Sequence, residues 1–438
     1  MAKLQGLVPW SQAACHSRGM TSRAPLEEAR ALLRAHRAEE AVRLLRRLAA
    51  LAPDAPAIAS LLGVALLQGQ DSRPALAHFQ AVTRRWPRVE EGWQGLGKAL
   101  VDLYRPDEAV AAFTEAAGCS ETPARALYHR GMAHLLAGRF AEGWADYEHR
   151  LQVPELRPRL LPAPLWDGAP LAGRRLLVVC EQGYGDVFQA IRFLPRLRAL
   201  GGTVVFECPA ELRALLAPVL AGCEVVPLRG LGPPDARFDA WLPLLSLPHR
   251  LGIALADLPG PMPYLQADPV AMPAGAIGVC WAGNPRHPQD HQRSMDPEHL
   301  APLARLPGVR LVSLQKDQAH RPPLPGFAKL LHPPPLPLAD FAATARVIAG
   351  LDAVVTVDTA IAHLAGALGK PAFLLLHHAA EWRWLVGRAD SPWYPALRLA
   401  RQPEPGDWQG AVSQVLDDYQ ATRAPAAAPT PSCPPRSA

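Results

Sequence analysis

The chain has 438 residues, enough for roughly three domains at about 150 residues each. A formal net charge of +5 with no dominant run of lysine or arginine excludes a dedicated nucleic-acid binder. No apolar run reaches the roughly 20 residues that cross a bilayer, so no transmembrane segment is expected.

Residues 1–24 lack a continuous apolar core, so they do not read as a secretory signal. They are expected to be disordered, or to precede a true start at Met20; the absence of acids before Glu27 is one trait of a transit peptide. The seven cysteines, at 15, 119, 180, 208, 223, 280 and 433, show no C-x-x-C pair. They read as thiols of a reducing, cytoplasmic compartment rather than as disulfides or metal ligands.

From 25 to 152 the chain keeps a 34-residue register. Gly63, Gly97 and Gly131 share it, as do Ala41, Ala75, Ala109 and Gly143, and also Leu45, Phe79, Phe113 and Tyr147. Pro53 and Pro87 close successive units. Small residues at fixed positions let two helices approach, and an aromatic fills the space between units. A plain helical bundle would not hold several registers to one period. The segment resembles the tetratricopeptide repeat, whose period is also 34. About four units are expected, and their concave groove suits a protein partner.

Proline-rich residues 153–173 form a join, and the chain's 48 prolines are about twice the usual share. An α/β unit spans 174–258, with predicted strands 175–180, 203–207 and 223–227 and an apolar run from Phe238. Its helices are predicted at 187–200 and 210–220. A second join, 259–275, leads to another unit at 276–423. There strands are predicted at 276–282, 309–315, 353–358 and 372–377, with helices at 297–306, 340–349, 360–368 and 408–423. Strands alternating with helices at this spacing predict parallel sheets, here two Rossmann-like domains facing one cleft. The tail, 424–438, is low-complexity and expected to be disordered.

Ligands of such sheets bind where strands release the chain into helices. At the first exit, Gly183 and Gly185 permit a tight turn, and Asp186 follows. Asp186 either accepts a proton from an attacking hydroxyl or caps the helix. At the second exit, Asp358 and Thr359 precede a helix opening at Ala360, whose first turn favours a diphosphate. Either residue suits a cap, a ligand contact, or both. His363 lies one turn in, as a ligand contact or a packed core histidine. The polar loop 281–294 supplies Arg286 and Arg293 as cations for a leaving phosphate. His287 and His291 in that loop are four apart, but Pro288 disfavours a metal-binding helix, so a solvated loop is expected; His377 with His378 lacks the partners a zinc site needs. Trp382 and Trp384 suit either ring stacking on a ligand or core packing.

Taken together, EQGYGDVFQAIRFLP, WAGNPRHPQDHQRS and VDTAIAHLAGALGKP resemble bacterial tetratricopeptide-repeat glycosyltransferases related to the heptosyltransferase family. The resemblance implies an α + α/β chain: N-terminal repeats followed by a GT-B pair of Rossmann-like domains. It implies an inverting, metal-independent transfer of a hexosyl or heptosyl group from a nucleotide-sugar donor, with no other cofactor. Asp186 matches the family's general base, and Asp358, Thr359, Ala360 and His363 match its donor-contacting segment. The family tends to have lysine where this chain offers Arg286 and Arg293. The acceptor is left open as a glycan, a lipid-linked sugar or a protein. Two other readings remain: a repeat scaffold with a vestigial nucleotide-binding domain, and a nucleotide-sugar epimerase.

Overall fold

The computed structural model describes residues 23–423 except 70, 157–158, 231, 288, 317–320 and 380. The expectations for the first 22 residues, for Pro288 and for the tail at 424–438 lie outside the described residues. Eight helices come first, in four antiparallel pairs. They are α1 (Arg23–Arg34) with α2 (Ala38–Leu51), and α3 (Pro56–Leu67) with α4 (Arg73–Arg85). Next come α5 (Glu90–Asp102) with α6 (Pro106–Gly118), and α7 (Ala124–Leu136) with α8 (Phe140–Tyr147).

The 34-residue register is a packing register. A β-carbon added to Gly63 would lie 2.3 Å from the Phe79 ring, and one on Gly97 would lie 2.6 Å from the Phe113 ring. At Gly131 the same atom would strike the Tyr147 backbone nitrogen at 2.6 Å. Ala41, Ala75 and Ala109 are fully buried in the same stack. The turns inside the pairs repeat too. His36, Tyr104 and Gly138, all on the 34-residue period, have φ of 55°, 55° and 78°. Two of these turn residues touch the α/β region: the His36 ring lies 4.9 Å from that of His291, and Tyr104 accepts a 2.9 Å hydrogen bond from Arg401.

Two parallel sheets follow. The first contains β1 (Arg175–Val179), β2 (Thr203–Cys208), β3 (Glu224–Pro227) and β4 (Ala240–Pro243), in the order β3-β2-β1-β4. The second contains β5 (Ala276–Cys280), β6 (Arg310–Ser313), β7 (Leu331–His332), β8 (Ala353–Val357), β9 (Ala372–Leu376) and β10 (Leu397–Arg401). Its order is β10-β9-β8-β5-β6-β7. Strands β5, β8 and β9 are buried along their whole length, as expected of parallel sheets covered on both faces. Helices α9 (Tyr184–Ala190), α10 (Leu194–Arg198), α11 (Ala210–Leu216) and the short α12 (Leu247–Arg250) belong to the first unit. The second has the single turns α13 (Asp290–Arg293) and α14 (Pro325–Ala328), then α15 (Phe341–Gly350), α16 (Ala360–Ala367) and α17 (Trp408–Arg423). Helical repeats followed by two parallel-sheet units is the order expected.

Several elements depart from expectation, mostly at prolines. The helix predicted over 187–200 starts earlier, at Tyr184, and is broken by a 3-10 turn at Ile191–Phe193 before Pro195. The helix predicted over 297–306 is a 3-10 run, Pro297–Arg305, with Pro302 inside it. Proline has no N–H to continue an α-helical ladder. Helix α11 ends at Leu216, two residues before Pro218. Strands β7 and β10 were not predicted; the first has only two residues, and the second carries Arg398 and Arg401 within a short apolar run.

The repeats are joined to the first sheet by buried charge. Arg150, in the 3-10 turn Glu148–Gln152 after α8, is fully buried. It donates to Glu181 at 2.7 and 3.2 Å, to Glu148 at 2.7 Å and to Ser246 at 2.8 Å. Glu181 sits just beyond β1, so the last repeat is anchored beside the first glycine turn.

Candidate active site at the two strand exits

Strands β1 and β8 release the chain into α9 and α16, and these helices pack directly on one another. A β-carbon on Gly185 would lie 2.7 Å from His363 Cδ2, so close approach, not an unusual φ, requires glycine there. Gly183 and Tyr184 on this turn are exposed, while Gly185 and Asp186 are half-buried.

Asp186 is the third residue of α9. Its Oδ2 accepts the Gly183 N–H at 2.8 Å, which satisfies a donor at the helix start. Its Oδ1 accepts from the Arg383 guanidinium, which comes from the second unit. Burial pushes the Asp186 carboxyl up, and Arg383 opposes that shift. One side chain therefore both satisfies the helix start and bridges to the second unit.

Thr359 is the N-cap of α16. Its hydroxyl accepts from Ile361 N–H at 3.2 Å and lies 3.3 Å from the Thr356 hydroxyl. Asp358 is not the cap. It is 7% exposed and accepts from Trp384 Nε1 at 2.9 Å. Burial first, and then the Glu381 carboxylate, push the Asp358 carboxyl up to about 6. Thr359, Ala360 and Ile361 remain half-buried, so the first turn of α16 is open to solvent.

His363 is 5% exposed. Its Nδ1 lies 2.9 Å from the Tyr394 hydroxyl, and its ring packs at 5.3 Å from that of Trp384. Burial and nearby arginines push it well below the usual imidazole range, so it is neutral. This histidine is a wedge between the units.

The two arginines of the polar loop separate. Arg286 is exposed in a turn, its N–H on the Asn284 side chain. Arg293 is mostly buried, 3.7 Å from Asp290, and its Nε has no hydrogen-bond partner among the described residues. Its charge acts on Asp358, Glu381 and His363. Of the two loop arginines, Arg293 is thus the one whose charge reaches this cluster, beside Arg383.

Arg383 and Glu381 carry no motif signal in the sequence, where only the aromatics of Glu-Trp-Arg-Trp stood out. Trp382 and Trp384 are both buried, so core packing holds for both. The arginine between them donates to Asp186, to Glu381 and, at 2.8 Å, to Gln189. Burial would push Glu381 up, but Arg383, His287 and Arg293 hold its carboxyl below the ordinary value. Burial pushes His377 and His287 down to about 4. Among the described residues no group of three or more His, Cys, Asp or Glu side chains is arranged to hold a metal.

Beside this cluster, at the C-terminal ends of β6 and β7, lies a cavity of about 520 Å³. Ser313, Gln315, Lys316, His332 and Leu338 line it. Gln315 connects the two regions, since its Oε1 accepts from Cys280, Trp281 and Ala282 at 3.3, 3.2 and 3.0 Å.

Tetratricopeptide repeat models match residues 26–90, 70–123 and 95–149, and the glycosyltransferase family 9 (heptosyltransferase) model matches residues 334–380. The latter segment includes β8, Asp358, Thr359 and His363. Protein FlbA of Caulobacter vibrioides is 28% identical over 435 residues, covering 90% of this chain and 72% of that protein. Among solved structures, a thermophilic TPR protein of Thermus thermophilus is 23% identical over 30% of this chain and 74% of its own, with a TM-score of 0.29. MamA of Desulfovibrio magneticus RS-1 is 20% identical over 30% of this chain and 73% of its own, with a TM-score of 0.25. The family matches and the similarity to FlbA fit a tetratricopeptide-repeat protein with a heptosyltransferase-like glycosyltransferase region.

Proposed function

We propose that the chain transfers a hexosyl- or heptosyl-type sugar from a nucleotide-sugar donor to an acceptor hydroxyl, with inversion and without a metal ion. The observation that carries this reading is the direct packing of the two strand exits. Gly185 lies against His363, with Asp186 at one exit and the Thr359-capped start of α16 at the other.

In this mechanism the donor diphosphate rests at the half-buried first turn of α16, where the helix dipole favours an anion. Arg293, whose Nε has no hydrogen-bond partner among the described residues, supplies positive charge. The cavity lined by Gln315 and His332 takes the nucleoside. Asp186 accepts the proton of the acceptor hydroxyl as its oxygen attacks the anomeric carbon. The bond from that carbon to the diphosphate breaks, and the charge leaves on the nucleotide. A carboxylate has about four lone-pair positions, so Asp186 keeps acceptor capacity beside its bonds to Gly183 and Arg383. The acceptor is a glycan, a lipid-linked sugar or a protein, and the repeat groove takes a protein partner in the cytoplasm.

Incubation with a panel of sugar nucleotides tests the reading. Nucleotide release that rises with added acceptor supports it. Binding without release from any donor would favour a non-catalytic scaffold, and isomerised donor without acceptor would favour an epimerase.

A further inference from the structure

Two adjacent residues of one turn reach the two aspartates of the site. Arg383 bonds Asp186, from the first unit, and Trp384 bonds Asp358, from the second. Both belong to the 3-10 turn Trp382–Trp384. Arg383 also bonds Gln189 at 2.8 Å, three residues after Asp186 and so on the same face of α9. Its third partner is Glu381, so each of its three nitrogens has a separate acceptor. A planar guanidinium holds such an arrangement where a lysine ammonium cannot.

The turn itself is held from behind. Leu385 ends it at φ 49°, a conformation unusual for a branched side chain. Arg401 donates to the carbonyls of Trp384 and Leu385 at 2.6 and 2.7 Å. Trp144 and Tyr147 of the last repeat pack against Trp382 with ring centroids 5.4 and 6.1 Å away.

We propose that the Trp382–Trp384 turn couples the donor and acceptor halves of the site, with Arg383 the positioning residue for Asp186 and Trp384 the positioning residue for Asp358. This rests on the reading of Asp186 as the base. Arg383 fixes which Asp186 oxygen points to the acceptor and keeps the carboxylate ionised. A ligand at Asp358 is then felt at Asp186 through two neighbouring residues.

The charged and titratable groups facing Asp186 are Arg383, Glu381, Glu181 and Tyr147, with neutral His363 behind Gly185. Arg383 is the cation in direct contact with it, so Arg383→Gln has a readout that a purely structural role lacks.

The test uses the full chain labelled with ¹³C-carboxyl aspartate, with the Asp186 signal assigned by its loss in Asp186→Asn. In Arg383→Gln, Asp186 is expected to titrate about one pH unit or more above wild type. The kcat for the donor found in the screen is expected to fall at least about tenfold, while Kd values for ADP, UDP and GDP stay within about twofold of wild type. Arg383→Lys is expected to keep the titration near wild type yet lose kcat. Should Arg383→Gln not fold, Gln189→Leu loosens the same grip and is expected to lower kcat alone. An unchanged Asp186 titration in Arg383→Gln, or wild-type kcat in the folded arginine variants or in Gln189→Leu, overturns the inference. Wild-type protein inert toward every sugar nucleotide would remove the transferase reading and this one with it; wild-type turnover with unperturbed variants would remove this one alone.

Discussion

Gly185 and His363 meet where the two α/β units touch, with 2.7 Å between the histidine Cδ2 and the place a glycine β-carbon would take. Gly185→Ala is therefore expected to destabilise the fold by about 1–3 kcal/mol, the usual result of overpacking. Combining it with His363→Ala should recover part of that loss, because the clashing ring is removed. Urea unfolding of the two single variants and the double variant measures the coupling. Additive effects would mean that the residues do not share this contact.

Asp358 predicts a pH dependence. Its carboxyl is raised from 3.8 to about 6, so the folded chain holds a proton that the unfolded chain releases. That contribution is fully present below pH 4 and is lost as pH rises through about 6. Asp358→Asn keeps an oxygen for Trp384 Nε1 and removes the titration. Its stability relative to wild type is expected to increase from pH 4 to pH 6, as followed by urea unfolding across that range. A difference that is flat with pH would contradict the assignment.

Arg150 makes the join between repeats and sheets testable. Arg150→Met leaves Glu181 buried without its cation, while half-buried Glu148 keeps Arg250 at 3.3 Å. Breaking such a pair costs about 3–5 kcal/mol, so chemical denaturation should show a loss of that order. A loss below about 1 kcal/mol would mean a solvated pair.

Much of the fold was legible because it follows from periodicity. The glycines at 63, 97 and 131 and the aromatics at 79, 113 and 147 encode a helix contact inside each pair that recurs every unit, and local spacing suffices to find it. The buried apolar runs at 276–280, 353–357 and 372–376 announced central parallel strands. Prolines 195, 218 and 302 reshaped helices whose apolar pattern continued past them. At the site, strand exits were visible as Gly-Asp and Asp-Thr steps. Arg383 was not, because its partners Asp186 and Gln189 lie 197 and 194 residues away in sequence. The same distance hid the difference between Arg286 and Arg293, which depends on what the loop folds against.

The central claim is that Asp186 takes the acceptor proton. The most direct measurement compares wild type with Asp186→Asn, using whichever sugar nucleotide the wild type turns over and titrating nucleoside diphosphate in parallel. The account predicts a fall in transfer of about 10²-fold or more with nucleotide affinity unchanged. Transfer at the wild-type rate by Asp186→Asn would contradict it.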